Sequence, residues 1–95
     1  MIISFRDKHT ETVFSGTFSK KLPLNIQRAA FYKLRVIHLA ASLNELRLPP
    51  SNHLEKLSGN YKGYYSIRIN NQYRICFEVR DVNKFSNVCI VDYHN

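Results

Sequence analysis

A period-two apolar pattern between Tyr64 and Val79 constrains this chain more than any other feature. Tyr65, Ile67 and Ile69 alternate with Tyr64, Ser66 and Arg68, and Tyr73, Ile75, Phe77 and Val79 alternate with Arg74, Cys76 and Glu78. Successive side chains of a strand point to opposite faces, so the two runs predict a hairpin with one buried face. That face decides the loop length. A three-residue loop, Asn70-Asn71-Gln72, sets Ile69 opposite Tyr73, Arg68 opposite Arg74 and Ile67 opposite Ile75. One face is then wholly apolar, and the other carries Ser66, Arg68, Arg74 and Glu78. A two-residue loop sets Ile69 against Arg74 or Gln72, so the longer loop is preferred although it lacks the usual glycine.

Two arginines directly across a strand pair repel each other. Two readings account for them. In one, their stems cover the sheet and their heads reach water. In the other, two guanidinium forks on a rigid surface form an anion site suited to phosphate.

The rest of the chain supplies a scaffold. A short strand is predicted over residues 2–5. Asp7 caps a first helix running to about Phe14, and Gly16 ends it. Residues 17–22 form a loop carrying Lys20 and Lys21. Pro23 suits the first turn of a second helix reaching about Ala41. Ile26, Ala30, Leu34, Ile37 and Ala41 make its apolar stripe, and Arg28, Lys33 and Arg35 fall off it. Those three cations are either a solvated helix face or a binding surface. A helical turn at 43–46 precedes Pro49-Pro50, which forces an extended path into a strand at 53–58. A loop at 81–84 leads to a last strand at 87–94. Val88 and Ile90 alternate there with Cys89 and Val91, which predicts a place in the middle of a sheet. The fold class is α+β: two N-terminal helices on one face of a small, mainly antiparallel sheet of four or five strands. At 95 residues the chain suits a single domain over 1–95.

Fourteen Lys and Arg against seven Asp and Glu leave a net charge of +7, with a sequence pI near 9.7. Such a balance favours a polyanionic partner: nucleic acid, an acidic protein or an anionic membrane surface. No apolar run is long enough to span a bilayer, and MIISFRDKHTE lacks a signal-peptide core, so a cytoplasmic location is expected. Cys76 and Cys89 lie singly on two predicted strands without CxxC spacing and read as reduced sheet residues. His9, His38, His53 and His94 show no metal-ligand spacing, so neither metal nor cofactor is expected.

The last strand runs into Asp92, Tyr93 and His94. As a structural terminus, Asp92 pairs with a basic residue, Tyr93 closes the core and His94 frays. As a chemical cluster, the three need a substrate with a proton to move beside a phosphate held by arginines. RNA fits that description. Its 2′-hydroxyl attacks the adjacent phosphorus when a base takes its proton, an acid protonates the leaving oxygen and cations stabilise the added charge. DNA lacks this nucleophile.

The run LEKLSGNYKGYYSIRINNQYRICF, followed by IVDYH, resembles the HigB group of bacterial toxins within the RelE-like family. The resemblance extends from MIISF through the basic helix to the terminal Asp-Tyr-His. It implies a RelE-like fold and the toxin half of a type II toxin–antitoxin pair. It also implies an mRNA endoribonuclease that works without metal on transcripts in the ribosomal A site. By position, Asp92, Tyr93 and His94 match the family's terminal active-site motif, and Arg74 matches a catalytic-surface arginine. Glu55 stands where some relatives carry histidine, and Ser58 where they carry lysine. The resulting expectation places Arg68 and Arg74 on the scissile phosphate and pairs His94 with Asp92 as acid and base. Glu55 assists, and Tyr93 stacks on a base or orients the substrate. Neither Arg74 nor His94 is expected in the core. Lys20, Lys21, Arg28, Lys33, Arg35, Lys56 and Lys62 form the expected RNA-binding surface. The implied partner is a HigA-like helix-turn-helix antitoxin, the complex binding its own promoter DNA. Two alternatives stand beside this reading: a ParE-like gyrase poison on the same scaffold, and a basic module that binds ribosomal RNA without cutting it. The terminal cluster argues against the gyrase reading, which has no need of it.

Overall fold

Asp7 opens the first helix. Its side chain accepts a hydrogen bond from the Thr10 N–H at 2.8 Å, and α1 (Lys8–Phe14) follows. Gly16 then turns the chain away at φ +87°, a conformation that costs a glycine little. Asp7→Ala is expected to cost about 1 kcal/mol, the usual price of a lost N-cap. It should appear as a lower urea midpoint at unchanged slope; an unchanged midpoint would show that the cap contributes nothing. The structure is a computed structural model that describes residues 1–93. His94, the end of the predicted last strand and a predicted site residue, lies outside the described residues.

α2 (Leu24–Leu39) begins directly after Pro23 and buries Ile26, Ala30, Leu34 and Ile37, as the stripe predicts. It stops short of Ala41. Ala40 is already extended and is the buried alanine, while Ala41 is exposed. The Ala41 N–H is taken by the Glu45 carboxylate at 2.9 Å, which ties the chain to the 3-10 turn Leu43–Arg47.

The sheet has four antiparallel strands in chain order: β1 (Glu55–Lys56), β2 (Tyr65–Arg68), β3 (Tyr73–Asp81) and β4 (Lys84–Asp92). Its hairpin register is the one the apolar face demands, with Arg68 opposite Arg74 and Ile67 opposite Ile75. Asn70 does the work of the missing glycine. Its side-chain oxygen accepts from the Gln72 and Tyr73 N–H groups at 2.9 and 2.7 Å, closing the loop through a side-chain turn. Both helices pack on one face, where Leu34 and Ile37 meet Ile67, Ile75, Phe77, Phe85 and Val88.

Three expectations need correction. The strand predicted at 53–58 shrinks to Glu55–Lys56, because His53 adopts a left-handed conformation (φ 46°) and the chain coils again at Gly59–Tyr61. Residues 2–5 form no ladder, only parallel bridges from Ile2 to Phe85 and Phe5 to Val88. The last strand starts at Lys84 rather than 87, and it ends the strand order instead of sitting mid-sheet.

Its double-sided apolar pattern has a physical origin nonetheless: Val88 and Ile90 face the helices, while Cys89 and Val91 face a smaller cluster on the other side. Asn87, at φ 51°, is the extra residue of a bulge that sets two β4 residues against Phe77. The bulge resets the alternation, so Phe85, Val88 and Ile90 all face the helices. The outer edge of β4 is covered by the N-terminal segment: the Phe85 and Val88 N–H groups reach the Met1 and Ser4 carbonyls at 2.8 and 3.1 Å. Buried Thr10 takes the next edge donor, accepting from the Ile90 N–H at 2.9 Å.

The far face of the sheet carries a smaller cluster of Leu57, Cys76 and Cys89 under Tyr61, Tyr64, Val91 and Tyr93. The two thiols are opposed across β3 and β4, buried and not joined in a disulfide. A hydrogen bond with Cys89, reinforced by burial, pushes the Cys76 thiol up. Arg6 lies 5.6 Å from both the Tyr61 and Tyr64 rings and closes this cluster. Among the described residues, no helix is long and apolar enough to cross a membrane.

Candidate active site

Period two carries Ser66, Arg68, Arg74 and Tyr93 to the face opposite the helices, and the β1–β2 pairing adds Glu55, which lies across from Ser66. Arg74 is the hub. Its Nη1 donates to Ser66 Oγ at 2.8 Å and to the His53 carbonyl at 3.3 Å, and its Nη2 donates to Glu55 Oε1 at 2.8 Å. The Tyr93 ring centre lies 5.5 Å from its guanidinium carbon. Arg74 stands outside the core, as expected, yet is largely covered. Its side chain is 12% exposed, against 49% for Glu55. These bonds use three of the five guanidinium donors and fix the plane of the group, leaving two directions for an incoming oxygen.

Arg68 is held differently. Its Nε donates to the Asn70 carbonyl at 3.1 Å, its Nη2 to the Asn71 side-chain oxygen, and its Nη1 meets His53 Nε2 at 3.3 Å. Arginine only donates, so the His53 Nε2 lone pair must accept. His53 thus touches both arginines, one through its carbonyl and one through its ring. Nothing in the sequence marks it. Neither its fifteen-residue separation from Arg68 nor its left-handed turn produces a periodic signal.

Of the terminal cluster, the two described residues, Asp92 and Tyr93, part company. Tyr93 joins Arg74, whereas Asp92 is paired with Tyr73, and alternation points it to the opposite face. There Gln72 Nε2 donates to Asp92 Oδ2 at 3.0 Å, and the Tyr93 N–H is fixed by the Gln72 carbonyl at 2.7 Å. Gln72, which sequence reasoning passed over as loop, thus holds both the Asp92 side chain and the Tyr93 backbone.

The predicted RNA-binding cations divide. Arg28 and Arg35 are exposed on the outer side of α2, with Arg35 5.9 Å from the Phe31 ring. Lys20 and Lys21 are exposed in the preceding loop, and Lys56 and Lys62 flank the Gly59–Tyr61 turn. Lys33 stands apart from the other two helix cations. It leans toward the hairpin and donates to the buried Asn52 side-chain oxygen. A cleft of about 350 Å³ lies there, lined by Lys33, Ser51, His53, Arg68, Ile69 and the two loop asparagines. A second concavity, of about 360 Å³, lies between α1 and α2 beside Phe18, Phe31 and Tyr32. Among the described residues, no group of three or more His, Cys, Asp or Glu is placed to hold a metal ion.

Chemically, this face offers fixed cations, a carboxylate bonded to one of them, and an aromatic ring stacked on the same cation. Comparison with known proteins gives the arrangement a lineage. Residues 3–94 match the model of a family described as RelE-like toxins of the type II toxin–antitoxin system HigB. Toxin HigB-1 of Vibrio cholerae is 40% identical over 79 residues, covering 82% of this chain and 83% of the relative. An uncharacterized protein of Haemophilus influenzae is 35% identical over 85 residues, covering 88% and 83%. Two solved structures of the Staphylococcus aureus YoeB–YefM toxin–antitoxin complex share the fold, one at a TM-score of 0.58 with 24% identity, the other at 0.53 with 23%. Each matched chain covers all of this one and 97% or more of its own length. The chain therefore belongs to the HigB-like toxins, RelE-like members of type II toxin–antitoxin systems.

Proposed function

We propose that this toxin is an endoribonuclease that cuts mRNA on the ribosome, and that the Arg74 hub is its phosphate seat. The carrying observation is the Arg74–Glu55 contact at 2.8 Å beside the opposed Arg68. A scissile phosphate entering this site competes with Glu55 for the guanidinium. Its arrival releases a carboxylate next to the 2′-hydroxyl, where a base is needed. The 2′-oxygen then bonds to phosphorus, the bond to the 5′-oxygen breaks, and Arg68 and Arg74 stabilise the added charge. The leaving oxygen takes a proton from an acid, the role we assign to His94. Tyr93, stacked on Arg74, sets the substrate's position. Asp92 acts through the strand end that Gln72 fixes rather than from the arginine face.

The test is cleavage of a reporter mRNA by purified protein, with and without translating ribosomes. Cuts that require the ribosome are expected. Growth arrest with intact mRNA and broken chromosomal DNA would replace this reading with gyrase poisoning. For the partner we propose a HigA-like helix-turn-helix antitoxin whose complex binds its own promoter. Co-expression should abolish toxicity, and a toxin harmless without any partner would count against the whole assignment.

Arg28 and Arg35, with Lys20 and Lys21, are proposed to meet ribosomal RNA. Arg28→Ala with Arg35→Ala should weaken ribosome binding at every codon alike and flatten its salt dependence, because fewer counterions are released. An unchanged slope would return these residues to plain solvation.

A further inference from the structure

The cleft beside Arg68 is outside the Arg74 hub, and its chemistry is unusual for a solvated edge. Two cations, Lys33 from α2 and Arg68 from β2, line one concavity of about 350 Å³. Both are held in place. Lys33 donates to the Asn52 side-chain oxygen, and Asn52 is itself buried and anchored by donating to the Leu46 and Leu48 carbonyls at 3.2 and 3.1 Å. Arg68 is fixed by the Asn70 carbonyl and the Asn71 side chain. Among the described residues, their hydrogen-bond partners are the Asn52, Asn71 and His53 side chains and the Asn70 carbonyl, none of them a carboxylate. Among the described residues, the ion pairs are Lys8–Glu11, His9–Asp7 and Arg74–Glu55, so no carboxylate answers either cation. Two ordered like charges sharing a concavity repel each other, and an anion between them removes that cost.

We infer that this cleft is a second phosphate seat, taking the phosphodiester that adjoins the scissile one, with Arg68 shared between the two phosphates. The inference rests on the nuclease reading for which phosphate it takes, but the seat itself stands on the two cations. Its position relative to the Arg74 hub follows from the hairpin. The Ile69 N–H bonds to the Tyr73 carbonyl, so Arg68 and Arg74 form the adjacent non-hydrogen-bonded pair, whose Cα atoms lie about 4.5 Å apart. His53 spans the two seats, its carbonyl bonded to Arg74 and its ring nitrogen to Arg68. A single strand crossing Tyr93 and Arg74 would thus meet Arg68 next, and Lys33 on the far wall. Its backbone is read as charge, without any demand on the base.

The probe is an RNA trinucleotide with a 2′-deoxy sugar at the cut position, titrated into isotope-labelled protein and followed by NMR. The expected result is a shift of the Ser51 and Asn70 amides together with those of Arg74 and Tyr93. Lys33→Gln keeps a donor for Asn52 while removing the charge. It should weaken trinucleotide binding about ten- to a hundredfold, the size of one charge-assisted hydrogen bond. It should also flatten the log–log salt slope by about 0.7, the single-strand value per phosphate. Lys33→Arg should restore both. Movement at Arg74 and Tyr93 with Ser51 and Asn70 still, and unchanged affinity in Lys33→Gln, would overturn the inference. Inorganic phosphate, titrated in parallel, is expected to bind these residues more weakly. Equal or tighter binding of it would make the cleft a free-anion site and overturn the nucleic-acid assignment. If ribosome-bound mRNA is not cut, yet the trinucleotide fills the cleft and Lys33→Gln weakens it, the seat stands and the nuclease reading falls.

Discussion

Arg74→Ala is expected to slow cleavage of ribosome-bound mRNA by about two to three orders of magnitude, the usual loss when one preorganised electrostatic group leaves a reacting centre. The size follows from how the residue is held. Ser66 and the His53 carbonyl keep its plane fixed after Glu55 is displaced, so little reorganisation remains to be done when charge develops on the phosphate. The same bonds mean that the variant will not melt like wild type. Ser66 is fully buried and would lose its donor, at a cost of about 1–3 kcal/mol. The ion pair itself adds little, since Glu55 is half exposed. Activity must therefore be normalised to folded protein. Arg74→Lys supplies the control, keeping the charge but losing the fork, and it should recover only part of the rate. Full toxicity in a correctly folded Arg74→Ala protein would remove the phosphate seat from this site.

Period-two patterning made the hairpin legible, since only one register buries a clean face, and that register by itself sets Arg68 against Arg74. The same rule separates Asp92 from Tyr93, yet adjacency in sequence made them look like one cluster. What stayed hidden was non-local or hinged on a single backbone conformation. The left-handed turn at Asn87 resets the alternation of β4, and asparagine tolerates that conformation without announcing it. Parallel bridging by Ile2 and Phe5 joins segments about eighty residues apart, beyond the reach of any local pattern. His53, Asn52 and Ser66 became site residues only through contacts made across the fold. Charge counting grouped Lys33 with Arg28 and Arg35, but on α2 it borders the buried stripe and turns toward Arg68 instead.

The second large effect concerns proton transfer. Breaking the bond to a 5′-oxygen leaves an alkoxide, a far stronger base than water at neutral pH, so the step needs an acid in place as the bond lengthens. His94 is the group proposed for it, and His94→Ala should cost about two to four orders of magnitude in cleavage rate. The loss alone would not identify an acid, because a positioning residue could produce the same number. A substrate with sulfur in place of the 5′-oxygen separates the cases. A thiol loses its proton near pH 8.5, so a thiolate leaves with no proton to collect. His94→Ala should then recover most of its rate on the sulfur substrate. Glu55→Gln should not, since a base acting on the 2′-hydroxyl is needed whichever atom leaves. Tyr93→Phe keeps the ring 5.5 Å from Arg74 and deletes only the hydroxyl. Little change there would leave Tyr93 as a positioning residue, and a sulfur-rescued loss would make the phenol the acid. If His94→Ala cuts both substrates at the wild-type rate, the proton comes from elsewhere and the assignment of His94 is wrong.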